Sequence, residues 1–146
     1  MGRVPAAYGR AMAAPRDLRI YETVLYATDV DAAAAWYRDV LRLRQIDGPD
    51  EHSAALRLTD ESVLLIFDPA RSSAAGRPVP AHGAVGAGHV AFRVGPATLS
   101  LWRRRLAELG VALEQEQAWG DDGESLYFRD PAGNSVELVE GEIWSR

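Results

Sequence analysis

Apolar and polar residues alternate in short segments of this chain, a pattern typical of half-buried β-strands. Residues 30–43 instead carry apolar side chains at steps of three and four, which predicts a helix with Asp29 or Asp31 at its N-cap. The strand patterns of the first half lie at 18–29, 44–47, 53–59 and 62–68. The first half therefore predicts the order β-α-β-β-β.

The same order returns after a segment rich in Pro, Gly, Ser and Ala. Residues 95–110 predict a second helix, with Pro96 near its first turn and Gly110 at its end. Trp36 and Trp102 take similar places in the two helices, where both are predicted to face the core. The strand patterns of the second half lie at 89–94, 111–115, 125–129 and 134–139. One repeat of this kind indicates a duplication.

The duplication predicts an α+β fold. Two βαβββ modules in tandem are expected to form a curved mixed sheet around a cleft, with the helices outside. The predicted parts are a flexible N-terminal arm at 1–17, a first module at 18–68, a linker at 69–87, a second module at 88–140 and a C-terminal tail at 141–146.

Strand alternation assigns side chains to the cleft, because neighbouring positions face opposite sides of a sheet. Apolar positions such as Val90 and Phe92 are expected to face the helices, which leaves the polar positions between them for the cleft. Trp119 is predicted to be a pocket wall in a loop, and His82, in the linker, to border the cleft. The predicted cleft residues on strands are Glu22, His89, Arg93, Ser125, Tyr127, Arg129 and Glu137.

Glu22, His89 and Glu137 form a candidate metal site on that face. Two carboxylates and an imidazole in one cleft need a positive charge between them, since otherwise one carboxyl group takes up a proton. A divalent cation satisfies this need. The donor set favours Mn²⁺, Fe²⁺, Co²⁺, Ni²⁺ or Mg²⁺, with catalytic Zn²⁺ as a further option.

Composition narrows the chemistry further. The sequence has no cysteine, which excludes disulfides, Cys nucleophiles and iron–sulfur clusters, and all 16 of its basic residues are arginine. The net charge of −5 and scattered arginines argue against nucleic acid as a partner. No apolar run reaches the roughly 20 residues of a membrane span, so we expect a cytoplasmic protein without a membrane partner.

Three stretches, TVLYATDVDAAAAWYRDVLRL, GHVAFRV and SLYFRDPAGNSVELVE, resemble the vicinal oxygen chelate superfamily. That superfamily includes glyoxalase I, fosfomycin-resistance enzymes, methylmalonyl-CoA epimerase, extradiol dioxygenases and bleomycin-resistance proteins. The resemblance covers residues 18 to about 140 and implies paired modules, a homodimer and metal ligands at Glu22, His89 and Glu137. Glu22 stands where relatives often have His or Gln, and Leu64 or Leu65 falls where four-ligand glyoxalases have Glu.

The favoured interpretation is a metal-dependent enzyme that acts on a small substrate with vicinal oxygens, through isomerase, lyase or epoxide-opening chemistry. Glu22 or Glu137 would be the proton-transfer base, and Tyr127 is predicted to be catalytic with them. The predicted substrate-binding residues are Arg93, Arg129, Trp119, His82 and Ser125. A metal-free binding protein of the bleomycin-resistance type is the alternative, and an extradiol-type dioxygenase is a weaker one.

Overall fold

The chain folds into two modules of the same order, as seen in a computed structural model that describes residues 17–48 and 52–145. The first module contains β1 (Glu22–Tyr26), α1 (Val30–Leu41), β2 (Arg44–Asp47), β3 (Ser53–Thr59) and β4 (Ser62–Phe67). A single helical turn, α2 (Pro69–Ser72), follows in the linker. The second module contains β5 (His89–Arg93), α3 (Leu99–Glu108), β6 (Gln115–Ala118), β7 (Gly123–Arg129) and β8 (Ser135–Gly141).

Each module builds one four-stranded mixed sheet. The strand orders are β1-β4-β3-β2 and β5-β8-β7-β6, and the first strand of each module runs parallel to the last. The remaining neighbours are antiparallel. The predicted α+β fold of tandem βαβββ modules is therefore confirmed, with the strands divided between two sheets.

Alternation along the strands divides each sheet into a buried face and an open face. Leu56 and Leu64 in the first sheet, and Phe128 and Val136 in the second, are fully buried in the core. The residues between them point the other way and are half-buried or exposed in most strands. Each sheet thus buries one apolar face and leaves the other open.

The buried stripe of α1 differs from the prediction by one position. Tyr37 is fully buried, whereas Trp36 lies at the edge of the core, with its ring centroid 5.9 Å from that of Phe128. A tyrosine can lie at the centre because its hydroxyl donates to Asp130 at 2.8 Å. Trp102 is also only partly buried, while Leu106 on the same helix is fully buried. In an alanine-rich helix such as α1, the side chains differ too little in hydrophobicity for the sequence to show which of them face the core.

Several element boundaries also differ from the prediction, and the second helix begins at Leu99 rather than at 95. The first strand begins at Glu22 rather than at 18, and the sixth strand covers Gln115–Ala118 rather than 111–115. The turn α2 was not predicted. The proposed N-terminal arm lies, apart from Asp17, outside the described residues, and the division of the chain into five parts stays a proposal. Among the described helices, none is long and apolar enough to cross a membrane.

A buried polar network joins the two modules. Asp130 accepts the hydroxyl of Tyr37, and its other carboxylate oxygen accepts the backbone N–H of Asn134 at 2.8 Å. The side-chain amide of Asn134 donates to the carbonyl oxygen of Tyr26 at 3.1 Å and accepts from the N–H of Gly88 at 2.8 Å. Burial and the neighbouring Asp130 raise the pKa of Tyr37 well above its ordinary value, so its phenol stays a donor.

Glu140, on β8, caps α3 from outside that helix. Its carboxylate accepts the backbone N–H groups of Thr98 and Leu99, both at 2.8 Å, and Thr98 itself forms no side-chain cap. These bonds, led by that from Leu99, lower the pKa of Glu140 below its ordinary value of 4.5. A lowered pKa means that the stabilisation is present above pH 4.5 and is lost as the pH falls through the folded-state value.

We expect Glu140→Gln to lower the melting temperature at pH 7, because a neutral amide caps a helix N-terminus more weakly than a carboxylate. The difference between the two proteins should shrink as the pH falls below 4.5, where the parent carboxyl group takes up a proton. Thermal unfolding of both proteins at a series of pH values measures it. An unchanged difference down to pH 3 would contradict the assigned cap.

Candidate active site

The open face of the second sheet forms a pocket with a volume of about 960 Å³. Three of its strands contribute side chains, and the segment that follows β8 closes one side. The described residues that line it are His89, Ala91, Arg93, Trp119, Tyr127, Glu137, Val139, Gly141, Ile143 and Trp144.

His89 opens β5 with its imidazole half exposed toward the pocket. Its Nδ1 lies 3.2 Å from the backbone carbonyl oxygen of Ser135. A carbonyl oxygen only accepts, so Nδ1 carries the proton in this bond. The other ring nitrogen, Nε2, lies 3.2 Å from Oε2 of Glu137. Nε2 is therefore the ring nitrogen that faces Glu137, and its lone pair is available to a metal when the ring is neutral.

Glu137 is a carboxylate that is only 5% exposed. Its Oε1 accepts two hydroxyl donors, from Ser125 at 2.6 Å and from Tyr127 at 3.0 Å. Burial, followed by the hydrogen bond to Glu137, raises the pKa of Tyr127, so that its phenol stays protonated as a donor. Both donors act on one oxygen, which leaves Oε2 turned toward His89.

Three of the predicted substrate-binding residues lie in three different parts of the structure. Arg93 lines the pocket and pairs with Glu142 at 2.8 Å. Arg129, at the end of β7, donates to Glu114 at 2.9 Å and borders a separate surface depression. His82, in the linker, packs against the first sheet and is not among the residues that line this pocket.

His82 anchors the linker to the first sheet. Its Nδ1 is 2.8 Å from the hydroxyl of Tyr26, and its ring meets that of Phe67 edge-on at 4.8 Å. Tyr26 shares a face of β1 with Glu22, four residues earlier. The linker histidine therefore belongs to the open face of the first sheet.

Glu22 does not join His89 and Glu137. It lies exposed at the start of β1, the same place in the first module that His89 takes in the second. In the part of the chain that the structure describes, no three His, Asp or Glu side chains come together as a metal site. The chain thus brings together two of the three predicted ligands.

The sequence model of the Glyoxalase/Bleomycin resistance protein/Dioxygenase superfamily matches residues 19–138. The chain belongs to this superfamily. Lactoylglutathione lyase from Agrobacterium tumefaciens, a solved structure, is 39% identical with a TM-score of 0.83, and the alignment covers 91% of this chain and all of that one.

Two further comparisons are more limited. Metallothiol transferase FosB from Bacillus licheniformis is 36% identical over 59 residues, which are 40% of this chain and 38% of that enzyme. A glyoxalase/dioxygenase from Nostoc punctiforme is 21% identical with a TM-score of 0.67, over 90% of this chain and 97% of that one. This last likeness shows the superfamily's fold alone.

Sequence reasoning missed two residues of this superfamily member's pocket, Ile143 and Trp144. They follow β8 in a segment that was assigned to the C-terminal tail, and Trp144 is 85% exposed. The feature of the sequence that could have identified this pocket wall is a tryptophan just after the last strand. With Trp119, the segment gives the pocket apolar walls around its polar floor.

The geometry of His89 and Glu137 fits part of a metal centre. Two ligand atoms on one ion, each about 2.1 Å from it, lie about 3.0–3.4 Å apart at right-angled or tetrahedral geometry. The observed separation of Nε2 and Oε2 is 3.2 Å. The other polar atom of each side chain, Nδ1 of His89 and Oε1 of Glu137, is held by hydrogen bonds. These bonds orient Nε2 and Oε2 toward a shared position. The pair can supply two ligands and needs at least one more.

Proposed function

We propose that this superfamily member is a divalent-metal-dependent enzyme of the lyase or isomerase type, acting on a small substrate with vicinal oxygens. The convergence of His89 Nε2 and Glu137 Oε2 in an open pocket is the observation that carries the proposal. The 39% identity to a lactoylglutathione lyase supports lyase chemistry over epoxide opening. The cytoplasmic location predicted from the sequence stays a prediction.

The third ligand in this proposal is Glu22 from a second copy of the chain. The open face of the first sheet carries Glu22 at one end and half-buried Val24, Val63 and Leu65 beside it. An apolar sheet face of this kind is suited to cover by another protein surface. In a two-fold dimer, the first sheet of one copy would lie over the second sheet of the other, and two equivalent sites would form.

A bound metal would act as a Lewis acid on two neighbouring substrate oxygens. His89 and Glu137, with Glu22 of the second copy, would hold it. Of the two carboxylates, Glu22 is the proposed proton-transfer base, because Oε1 of Glu137 is occupied by two donors. Tyr127 keeps Glu137 in place from the pocket floor, and the walls at Trp119 and Trp144 exclude water from the substrate.

Metal uptake tests the proposal. Protein stripped with a chelator and refilled should retain about one divalent ion per chain, as measured by elemental analysis, and should bind it in calorimetric titration. Turnover of lactoylglutathione, the compound in the relative's name, is the first activity to assay with the refilled protein. A stripped protein that takes up none of Mn²⁺, Fe²⁺, Co²⁺, Ni²⁺, Zn²⁺ or Mg²⁺ would refute it.

Metal-free ligand binding is the second candidate, and the aromatic walls of the pocket favour it. Trp119 is 40% exposed and Trp144 is 85% exposed, and rings of this kind bind flat apolar molecules without any metal. The discriminating measurement is quenching of tryptophan fluorescence by aromatic or glycopeptide ligands in the presence of a strong chelator. Affinity that survives chelation supports this candidate, and affinity that disappears supports the enzyme.

A further inference from the structure

A line of hydrogen bonds leads from the β6–β7 loop to the floor of the pocket. The indole Nε1 of Trp119 donates to the hydroxyl oxygen of Ser125 at 2.9 Å. Because that oxygen receives the indole N–H, its own hydrogen is directed to Oε1 of Glu137, 2.6 Å away. We refer to Trp119, Ser125 and Glu137 in this order as the relay.

Burial separates Ser125, the middle residue of the relay, from substrate contact. Ser125 is fully buried, so its hydroxyl has no surface to offer a molecule in the pocket. Trp119, by contrast, is 40% exposed and lines the pocket, with one edge of its ring turned to Ser125. We infer that Trp119 and Ser125 are positioning residues, which hold the Glu137 carboxylate so that Oε2 is directed to the metal. This inference rests on the proposed function.

Backbone contacts with β7 hold the loop that carries Trp119 in place. Trp119 donates its backbone N–H to the carbonyl oxygen of Gly123 at 2.8 Å. Gly123 has a φ of +150°, and a Cβ at this position would overlap the carbonyl oxygen of Glu140 on β8. Only glycine allows this close approach of β7 to β8. Trp119 is thus tied to β7, the strand that pairs with the one carrying Glu137.

The relay has a metal-free test in the N–H signals of the tryptophan rings. In the chelator-treated protein, the indole N–H of Trp119, assigned by its loss in Trp119→Phe, should exchange with solvent more slowly than that of exposed Trp144. Ser125→Ala should remove this protection, and Glu137→Gln should shift the signal, since the Ser125 hydroxyl loses its charged acceptor. If the Trp119 N–H exchanges as fast as that of Trp144, and neither substitution changes its signal, the relay is refuted.

Metal affinity tests what the relay does. Titration with Ni²⁺ should show a dissociation constant raised about 10–100-fold in Ser125→Ala and several-fold in Trp119→Phe, since partners of a metal ligand contribute on this scale. Ser72→Ala is the control, because Ser72 is nearly as deeply buried as Ser125 but lies in α2, outside the lining of the pocket. It should leave the affinity unchanged.

Failure of the positioning role and failure of the proposed metal site give different results. If Ser125→Ala lowers only the stability of the metal-free protein and binds Ni²⁺ as tightly as the parent, the positioning role is wrong while the metal site stands. If the parent itself binds no metal, the proposed function fails, and the indole signals alone decide whether Trp119 and Ser125 hold Glu137.

Discussion

A mixture of Glu22→Ala and Glu137→Ala chains is expected to bind metal that neither variant binds alone. In a mixed dimer, the first variant contributes intact His89 and Glu137, and the second contributes intact Glu22. One of its two sites is then complete and the other lacks both carboxylates. Random exchange of subunits makes half of the dimers mixed, so about one quarter of all sites should be restored.

The measurement uses the two variants separately, mixed, and mixed after dissociation and reassociation. Metal content and turnover should rise only in the reassociated sample. Glu22→Ala that retains the parent's affinity by itself would remove Glu22 from the ligand set. Two inactive variants that never complement each other, although mass measurements show mixed dimers, would place all the ligands within one chain.

We expect Asn134→Ala to lower the free energy of unfolding by about 3 kcal/mol, because it leaves two partly buried backbone groups without this partner and removes one donor from a buried carboxylate. The two backbone groups are the N–H of Gly88 and the carbonyl oxygen of Tyr26, while the carboxylate is that of Asp130, which keeps the hydroxyl of Tyr37 as a donor. The side chain is only 2% exposed, so water does not replace it without opening the module boundary. Urea unfolding at one fixed protein concentration measures the change.

Gln115→Ala is the control for this loss, since it removes an exposed amide from the same module. It should change the stability by less than about 0.5 kcal/mol. Equal effects of the two substitutions would show that the network around Asn134 contributes nothing to the free energy of unfolding. Since Gly88 directly precedes His89, we also expect Asn134→Ala to weaken metal binding in the protein that remains folded.

The module fold could be predicted because it depends on local signals. Alternation along β7 and β8 assigned Leu126 and Val136 to the core and Tyr127 and Glu137 to the pocket, as the structure shows. The N-cap was predicted in the same way, and Asp29 takes that place by accepting the N–H of Ala32. Residue spacing within a strand or a helical turn is sufficient for such assignments.

The positions at which the structure differs from the sequence pattern depend on partners outside their own element. Tyr37 rather than Trp36 reaches the centre of the core, because Asp130, 93 residues away, satisfies its hydroxyl. Arg129 is not among the residues that line the pocket, and its guanidinium donates to Glu114. Neither partner is marked by local spacing, so no pattern within one element could have identified it.

The sequence by itself determined the duplicated βαβββ order, the faces of β5, β7 and β8, and His89 and Glu137 as partners on one face. The tertiary structure decided that Glu22 stands apart from them, because the strands form two sheets and β1 belongs to the other one. It also decided the protonated nitrogen of His89 and the donors to Glu137. Such contacts follow from how strands far apart in sequence pair, which no local period encodes.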